Sequence, residues 1–205
     1  MNIRFLNKGV VMIFMALVFQ PLFAGESEPE QLVRSTADEV LNIIKTRQPE
    51  FKEQPAKLFE LVDEKVLPHF DFERMTDLAL GRYKRKVKGH QKPQLVKEFR
   101  HLLVRTYGKA LLNYKDEVIA YLPMRGNLDK GEVTVRTEIE QKGGFPIPLN
   151  YELYKKDDNS WKVYDISVDN ISLVTNYRSS FARKIKQDGV DGLINSLRNR
   201  NSESS

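Results

Sequence analysis

Histidines, cysteines and paired carboxylates carry most side-chain chemistry near neutral pH, and this chain offers few of them. Its three histidines, His69, His90 and His101, stand 21 and 11 residues apart. None pair at the three- or four-residue spacing that places two imidazoles on one helix face, so no metal site is expected. There is no cysteine in 205 residues, which excludes thiolate zinc sites, iron–sulfur clusters, thiol nucleophiles and disulfides. Glu138 and Glu140 share one face of an alternating stretch and form a candidate acid/base pair. Arg136 shares that face, however, and a solvated or salt-bridged surface is the simpler reading. No Gly-x-Ser-x-Gly elbow, phosphate-cradling glycine loop or dinucleotide fingerprint is present. The chain is therefore expected not to be an enzyme and to hold no metal or cofactor.

What the chain has in excess is large and apolar: eleven Phe, eight Tyr and one Trp. Their spacing defines the elements that would arrange them. Residues 29–47 carry Val33, Ala37, Val40, Leu41 and Ile44 at helical period, and Pro55 opens a second helix with Leu58, Phe59, Leu61, Val62 and Val66, stopped by Pro68. Asp71 reads as an N-cap for a helix over 72–80 that Gly81 ends. Residues 93–113 form the longest helical pattern, with Val96, Phe99, Leu102, Leu103, Thr106, Ala110 and Leu111 on one broad face. Beyond Tyr114 the period changes to 2, predicting strands over 118–122, 132–141, 147–153 and 161–168 joined as an antiparallel meander. In the second strand Val133, Val135, Thr137 and Ile139 point one way, and Thr134, Arg136, Glu138 and Glu140 the other. Ser172 caps a further helix, residues 190–197 form a last one, and 198–205 is a polar tail. The fold class is α+β: N-terminal helices, a four-stranded twisted antiparallel sheet and C-terminal helices packed on one face of the sheet. Such a layer either closes on a filled core, the default, or leaves an apolar pocket between sheet and helices.

Composition and charge narrow the setting. Arg4 and Lys8 precede the apolar run 10–19, followed by Pro21 and the small residue Ala24, the pattern of a secretory signal peptide over residues 1–24. Ten apolar residues are about half of what a bilayer-spanning helix needs. An uncleaved anchor is the alternative, and Leu22 is a less usual residue at the minus-three position than Ala. Residues 25–205 then form a single exported domain. Of the 33 Lys and Arg, 31 remain in it against 28 Asp and Glu, a net charge of +3 that implies no nucleic acid. An exported chain without disulfides fits a bacterial periplasm. The one dense basic run, Lys84-Arg85-Lys86-Val87-Lys88, reads first as a solvated loop and otherwise as contact with an anionic surface or acidic partner.

Several stretches taken in order resemble one family. They are Phe70-Asp71-Phe72-Glu73-Arg74-Met75 with Leu80-Gly81-Arg82-Tyr83, Glu98-Phe99-Arg100 with Leu103-Val104-Arg105-Thr106-Tyr107, and Val135-Arg136-Thr137-Glu138-Ile139. Pro146-Ile147-Pro148-Leu149-Asn150-Tyr151, Trp161-Lys162-Val163-Tyr164-Asp165, Ile171-Ser172-Leu173-Val174-Thr175-Asn176-Tyr177-Arg178 and Gly189-Val190-Asp191-Gly192-Leu193-Ile194 follow. Together, behind a signal peptide, they resemble the MlaC-like or toluene-tolerance auxiliary family across nearly all of the mature chain. The resemblance implies a periplasmic phospholipid shuttle of Gram-negative bacteria. Its partners would be phospholipid as cargo, an inner-membrane ABC transporter with its substrate-binding ring, and an outer-membrane lipoprotein–porin complex, and its role would be to keep the outer membrane asymmetric. A pocketless protein-interaction module is the alternative, and an isomerase- or hydratase-like enzyme on a similar fold is disfavoured by the lack of an inward carboxylate. The expected lipid-contact residues are Phe99, Leu103, Tyr107, Leu111, Val135, Thr137, Ile139, Leu149, Tyr151, Val163, Val174 and Tyr177. Because they sit in the matching motifs, Arg105, Arg136 and Arg178 are candidates for a headgroup at the mouth, where a guanidinium pairs with phosphate oxygens.

Overall fold

The structure, a computed structural model, describes residues 26–113, 117–141 and 143–203. The expected signal peptide and the change of period at Tyr114 lie outside them. Three helices come first: α1 (Glu28–Thr46), α2 (Gln48–Glu53) and α3 (Pro55–Lys65). The Glu30 carboxylate accepts hydrogen bonds from the Ser27 backbone N–H and hydroxyl at 3.2 and 2.6 Å, fixing the start of α1. A 3₁₀ turn, Leu67–His69, leads into α4 (Phe72–Leu80). Asp71 caps α4 by accepting from the Arg74 N–H at 2.8 Å, while its other oxygen accepts from the Tyr154 hydroxyl. The basic run follows on a 3₁₀ helix, Gly81–Lys86, before α5 (Lys92–Leu111).

The sheet is antiparallel throughout, in the order β1 (Val118–Asn127), β2 (Glu132–Glu140), β3 (Ile147–Lys155), β4 (Trp161–Val168) and β5 (Ile171–Ser172). It has five strands where the sequence predicts four: the two residues of β5 pair with the end of β4 and are too short to show a period. β1 is also longer than expected, because Pro123 interrupts its alternation and the register shifts between Leu122 and Arg125. Gly126 lets β1 and β2 approach closely: a Cβ there would lie 2.6 Å from the Glu132 carbonyl oxygen.

The chain ends in α6 (Leu173–Glu203). The Ser172 hydroxyl accepts from the Thr175 N–H at 3.0 Å, in agreement with the expected cap. Gly189, at φ 71° and ψ −173°, breaks α6 into the two helices the sequence predicts. The expected polar tail is helical as far as Glu203. Arg198 reaches Gln94 at 3.2 Å and Asn201 reaches the Glu98 carboxylate at 2.8 Å, so this polar segment is held along α5 rather than left in solvent.

The interior is divided. One cluster joins α4, α5 and α6 around Met75, Leu80, Phe99, Leu103, Phe181 and Leu193. A second sets Val33 of α1 against Val133, Val135, Leu153, Trp161 and Val163 of the sheet. The third holds α1, α2 and α3 together through Val40, Ile44, Phe51, Leu58 and Leu61.

Candidate functional site

Between these three clusters lies a cavity of about 520 Å³. Helix α1 lines it with Leu32, Val33, Thr36, Ala37, Val40 and Leu41, three adjacent pairs one turn apart, a double-width apolar stripe. Helix α5 faces it with Leu103, Val104, Tyr107, Gly108, Ala110 and Leu111, and α3 adds Val62. Gly108 permits a close approach between helices, since a Cβ there would meet the Phe59 ring at 3.2 Å. The sheet supplies the floor. Ile119, Ile139 and Ile147 stand opposite one another across β1, β2 and β3, and Leu149, Tyr151, Val163 and Ile166 continue the surface across β3 and β4. Phe70, Phe72, Met75 and Leu173 close one side.

The polar groups in this lining are few, and their positions matter. Asn113, Glu117 and Gln141 come from the end of α5, the approach to β1 and the exit from β2. They gather at one end of the sheet and make it the polar end of the lining, the end suited to be the mouth. Deeper inside, burial pushes the Tyr151 phenol well above its ordinary range. Burial, with Lys162 nearby, lowers the His69 imidazole below its ordinary value. Such a lining desolvates an apolar molecule and offers water little competition. Among the described residues no group of three or more His, Asp or Glu is arranged to hold a metal ion.

Seven of the twelve expected contact residues line the cavity: Leu103, Tyr107, Leu111, Ile139, Leu149, Tyr151 and Val163. The other five do not. Phe99 and Tyr177 pack edge to face at 5.2 Å, and Phe99 meets Phe181 at 5.1 Å; with Val174 they fill the helical cluster. Val135 is spent in the cluster beneath α1, and the buried Thr137 hydroxyl donates to the Leu149 carbonyl at 2.6 Å within the sheet. These residues point inward as expected, but toward packed neighbours. None of Arg105, Arg136 and Arg178 lines the cavity. Arg136 and the two carboxylates Glu138 and Glu140 are likewise absent from its lining, and Arg136 lies 3.5 Å from the Pro123 carbonyl. Arg178 donates to the Leu78 carbonyl at 2.9 Å in a separate, more open groove that also contains Asp71, Glu73, Arg74 and Asp77. The broad face expected on α5 is narrower than predicted: Thr106 is exposed.

The contribution missed most completely in the sequence is that of α1. Its signal was present in the paired spacing of Leu32–Val33, Thr36–Ala37 and Val40–Leu41, a stripe wider than contact with one neighbouring element requires.

The comparisons with known proteins agree with this geometry. The family model described as MlaC protein matches residues 34–199. A Haemophilus influenzae protein named intermembrane phospholipid transport system binding protein MlaC is 26% identical over 175 residues, covering 84% of this chain and 82% of the relative. A Pseudomonas putida protein named toluene tolerance protein ttg2D is 24% identical over 190 residues, covering 92% and 86% respectively. Among solved structures, a phospholipid-binding protein from Ralstonia solanacearum, determined in complex with a phospholipid, superposes with a TM-score of 0.79. It is 36% identical, and the match covers 87% of this chain and 99% of that one. With a matching family model over most of its length and an apolar cavity between sheet and helices, the chain belongs to the MlaC family.

Proposed function

We propose that this protein is a periplasmic phospholipid carrier. It takes lipid from one membrane complex and delivers it to another, the outer-membrane lipoprotein–porin complex and the inner-membrane ABC transporter with its substrate-binding ring, and so keeps the outer membrane asymmetric. The observation that carries this reading is the apolar cavity of about 520 Å³ between the sheet and helices α1 and α5. The phospholipid complex of the R. solanacearum protein supports it, as do the phospholipid-transport and toluene-tolerance names of the relatives. Among the described residues no helix is long and apolar enough to cross a membrane.

The energetics suit a carrier. Each methylene removed from water contributes about 0.8 kcal/mol. The competitor for an acyl chain is the bilayer, where the chain is equally dehydrated, so net affinity is a small difference between two large terms. An apolar lining that roughly matches the membrane lets lipid both enter and leave. A six-carbon benzene fits a cavity of about 150 Å³, or about 25 Å³ per carbon. On that scale 520 Å³ takes about twenty carbons, one acyl chain in full.

The test is native mass spectrometry of the mature protein purified from cells, followed by organic extraction and lipid identification. Near-stoichiometric phospholipid is expected. A bare protein that also takes no lipid from vesicles refutes the carrier reading.

A further inference from the structure

We propose that the end of the sheet beside the cavity mouth is a bilayer-contact edge, which enters the interfacial layer of a zwitterionic membrane while lipid passes through the mouth. The proposal rests on the carrier reading above. Five large apolar side chains are exposed among the described residues: Tyr107, Val118, Leu128, Phe145 and Ile171. Three of them, Val118, Phe145 and Ile171, lie toward one end of the sheet. Val118 opens β1 opposite Glu140, Phe145 stands in the hairpin just before β3 begins, and Ile171 pairs with Val168, which in turn lies opposite Leu149. Each is within two residues of a lining residue, Ile119, Ile147 and Leu173 in turn. Phe145 is 92% exposed. Its hairpin is shaped by Gly143 at φ 78° and by a turn hydrogen bond from the Gly144 N–H to the Gln141 carbonyl at 3.3 Å. Exposed apolar residues scattered singly are ordinary; three at the same end as the mouth of an apolar cavity form a pattern.

The kind of surface they fit follows from their spacing. Five strands at about 4.8 Å each spread the three side chains over roughly 20 Å, with Glu140, Gly143, Gly144, Asp169 and Asn170 between them. A protein interface concentrates its contacts in a contiguous, desolvated centre. The interfacial layer of a bilayer accepts separate apolar points and leaves their polar neighbours among the headgroups. The acidic residues described at this end, Glu138, Glu140 and Asp169, give no attraction to an anionic surface, which favours zwitterionic headgroups. A mouth pressed against that layer lets an acyl chain move between two apolar media without crossing water.

The test uses Phe145→Trp with vesicles of phosphatidylcholine carrying brominated acyl chains. Trp161 shares a cluster with the lining residues Val33 and Val163 and can be reached by a brominated cargo, so the parent protein with the same vesicles supplies the reference. The new emission should be quenched in the presence of vesicles and recover once they are sedimented away. Phe145→Ser and Ile171→Ser should each slow lipid uptake from phosphatidylcholine vesicles about tenfold, the effect of losing partial burial of one apolar side chain, with final occupancy and melting temperature unchanged. The contact edge is overturned if vesicles do not quench the tryptophan, or if a protein that loads from vesicles does so at the same rate with either serine substitution. Reversible quenching in a protein that never acquires lipid would uphold the contact edge and defeat the carrier reading, so the two can fail separately.

Discussion

Replacing Ala37 by Phe tests the cavity from inside. Ala37 lies on the α1 stripe and faces the void rather than any of the three packed clusters. The substitution adds six carbons, about 150 Å³ at about 25 Å³ per carbon, to a space of about 520 Å³. About six methylenes of cargo then lose their place and are left in water, at about 0.8 kcal/mol each, or about 5 kcal/mol in all. That corresponds to more than a thousandfold weaker retention relative to a bilayer. The fold should not suffer, since the new ring enters space that no side chain occupies and buries apolar surface there. The assay pairs native mass spectrometry for occupancy with thermal unfolding of the delipidated protein. Loss of lipid with an unchanged or raised melting temperature is expected. Full occupancy by the same two-chain lipids, or lipid loss that merely follows a fall in melting temperature, would refute the reasoning.

Leu149→Arg places a charge on the cavity floor where the mouth is within reach of a long side chain, so the protein should fold by circular dichroism and lose lipid; Val135→Arg, in the closed cluster beneath α1, should instead abolish folding. Equal behaviour of the two would erase the distinction between lining and core. Phe99→Ala removes a fully buried ring that contacts Tyr177 and Phe181 and should cost about 3–5 kcal/mol in urea unfolding; a loss under 1 kcal/mol would contradict the packing described. The His69 imidazole has a folded pKa below its ordinary value. The unfolded chain therefore takes up the proton first, and this contribution to stability, intact above about pH 6.5, is lost as pH falls below it. His69→Gln should flatten that part of the stability profile, and a slope unchanged in the variant would assign it to other groups.

Much of the fold was legible because its signals are local. The Asp71 and Ser172 caps, the end of α4 at Gly81 and the alternation of β2 each depend on a few neighbouring residues, and the structure reproduces them. Short α2 and the two-residue β5 depend on tertiary contacts and left no period to read. The candidate site was legible in part. Alternation identifies which strand residues point inward, yet it is silent on whether an inward residue meets a side chain or a void. Val135 and Ile139 share that pattern on β2, and only Ile139 reaches the cavity. Arg136 and Arg178 were placed at the mouth by motif alone, and the fold uses the second to tie α6 to α4.

The division of the interior into three clusters bears on how such proteins diversify. In most small domains the centre is the keystone, and changing it endangers everything around it. Here the structural load is carried by the periphery, with Phe51, Phe99 and Leu153 each sealed into a different cluster. The lining residues that belong to none of the three clusters, such as Thr36, Ala37, Leu41 and Ile139, are released from that duty. Their sizes can drift by mutation without threatening foldability, so the capacity of the chamber and the structure that encloses it are free to evolve on separate schedules.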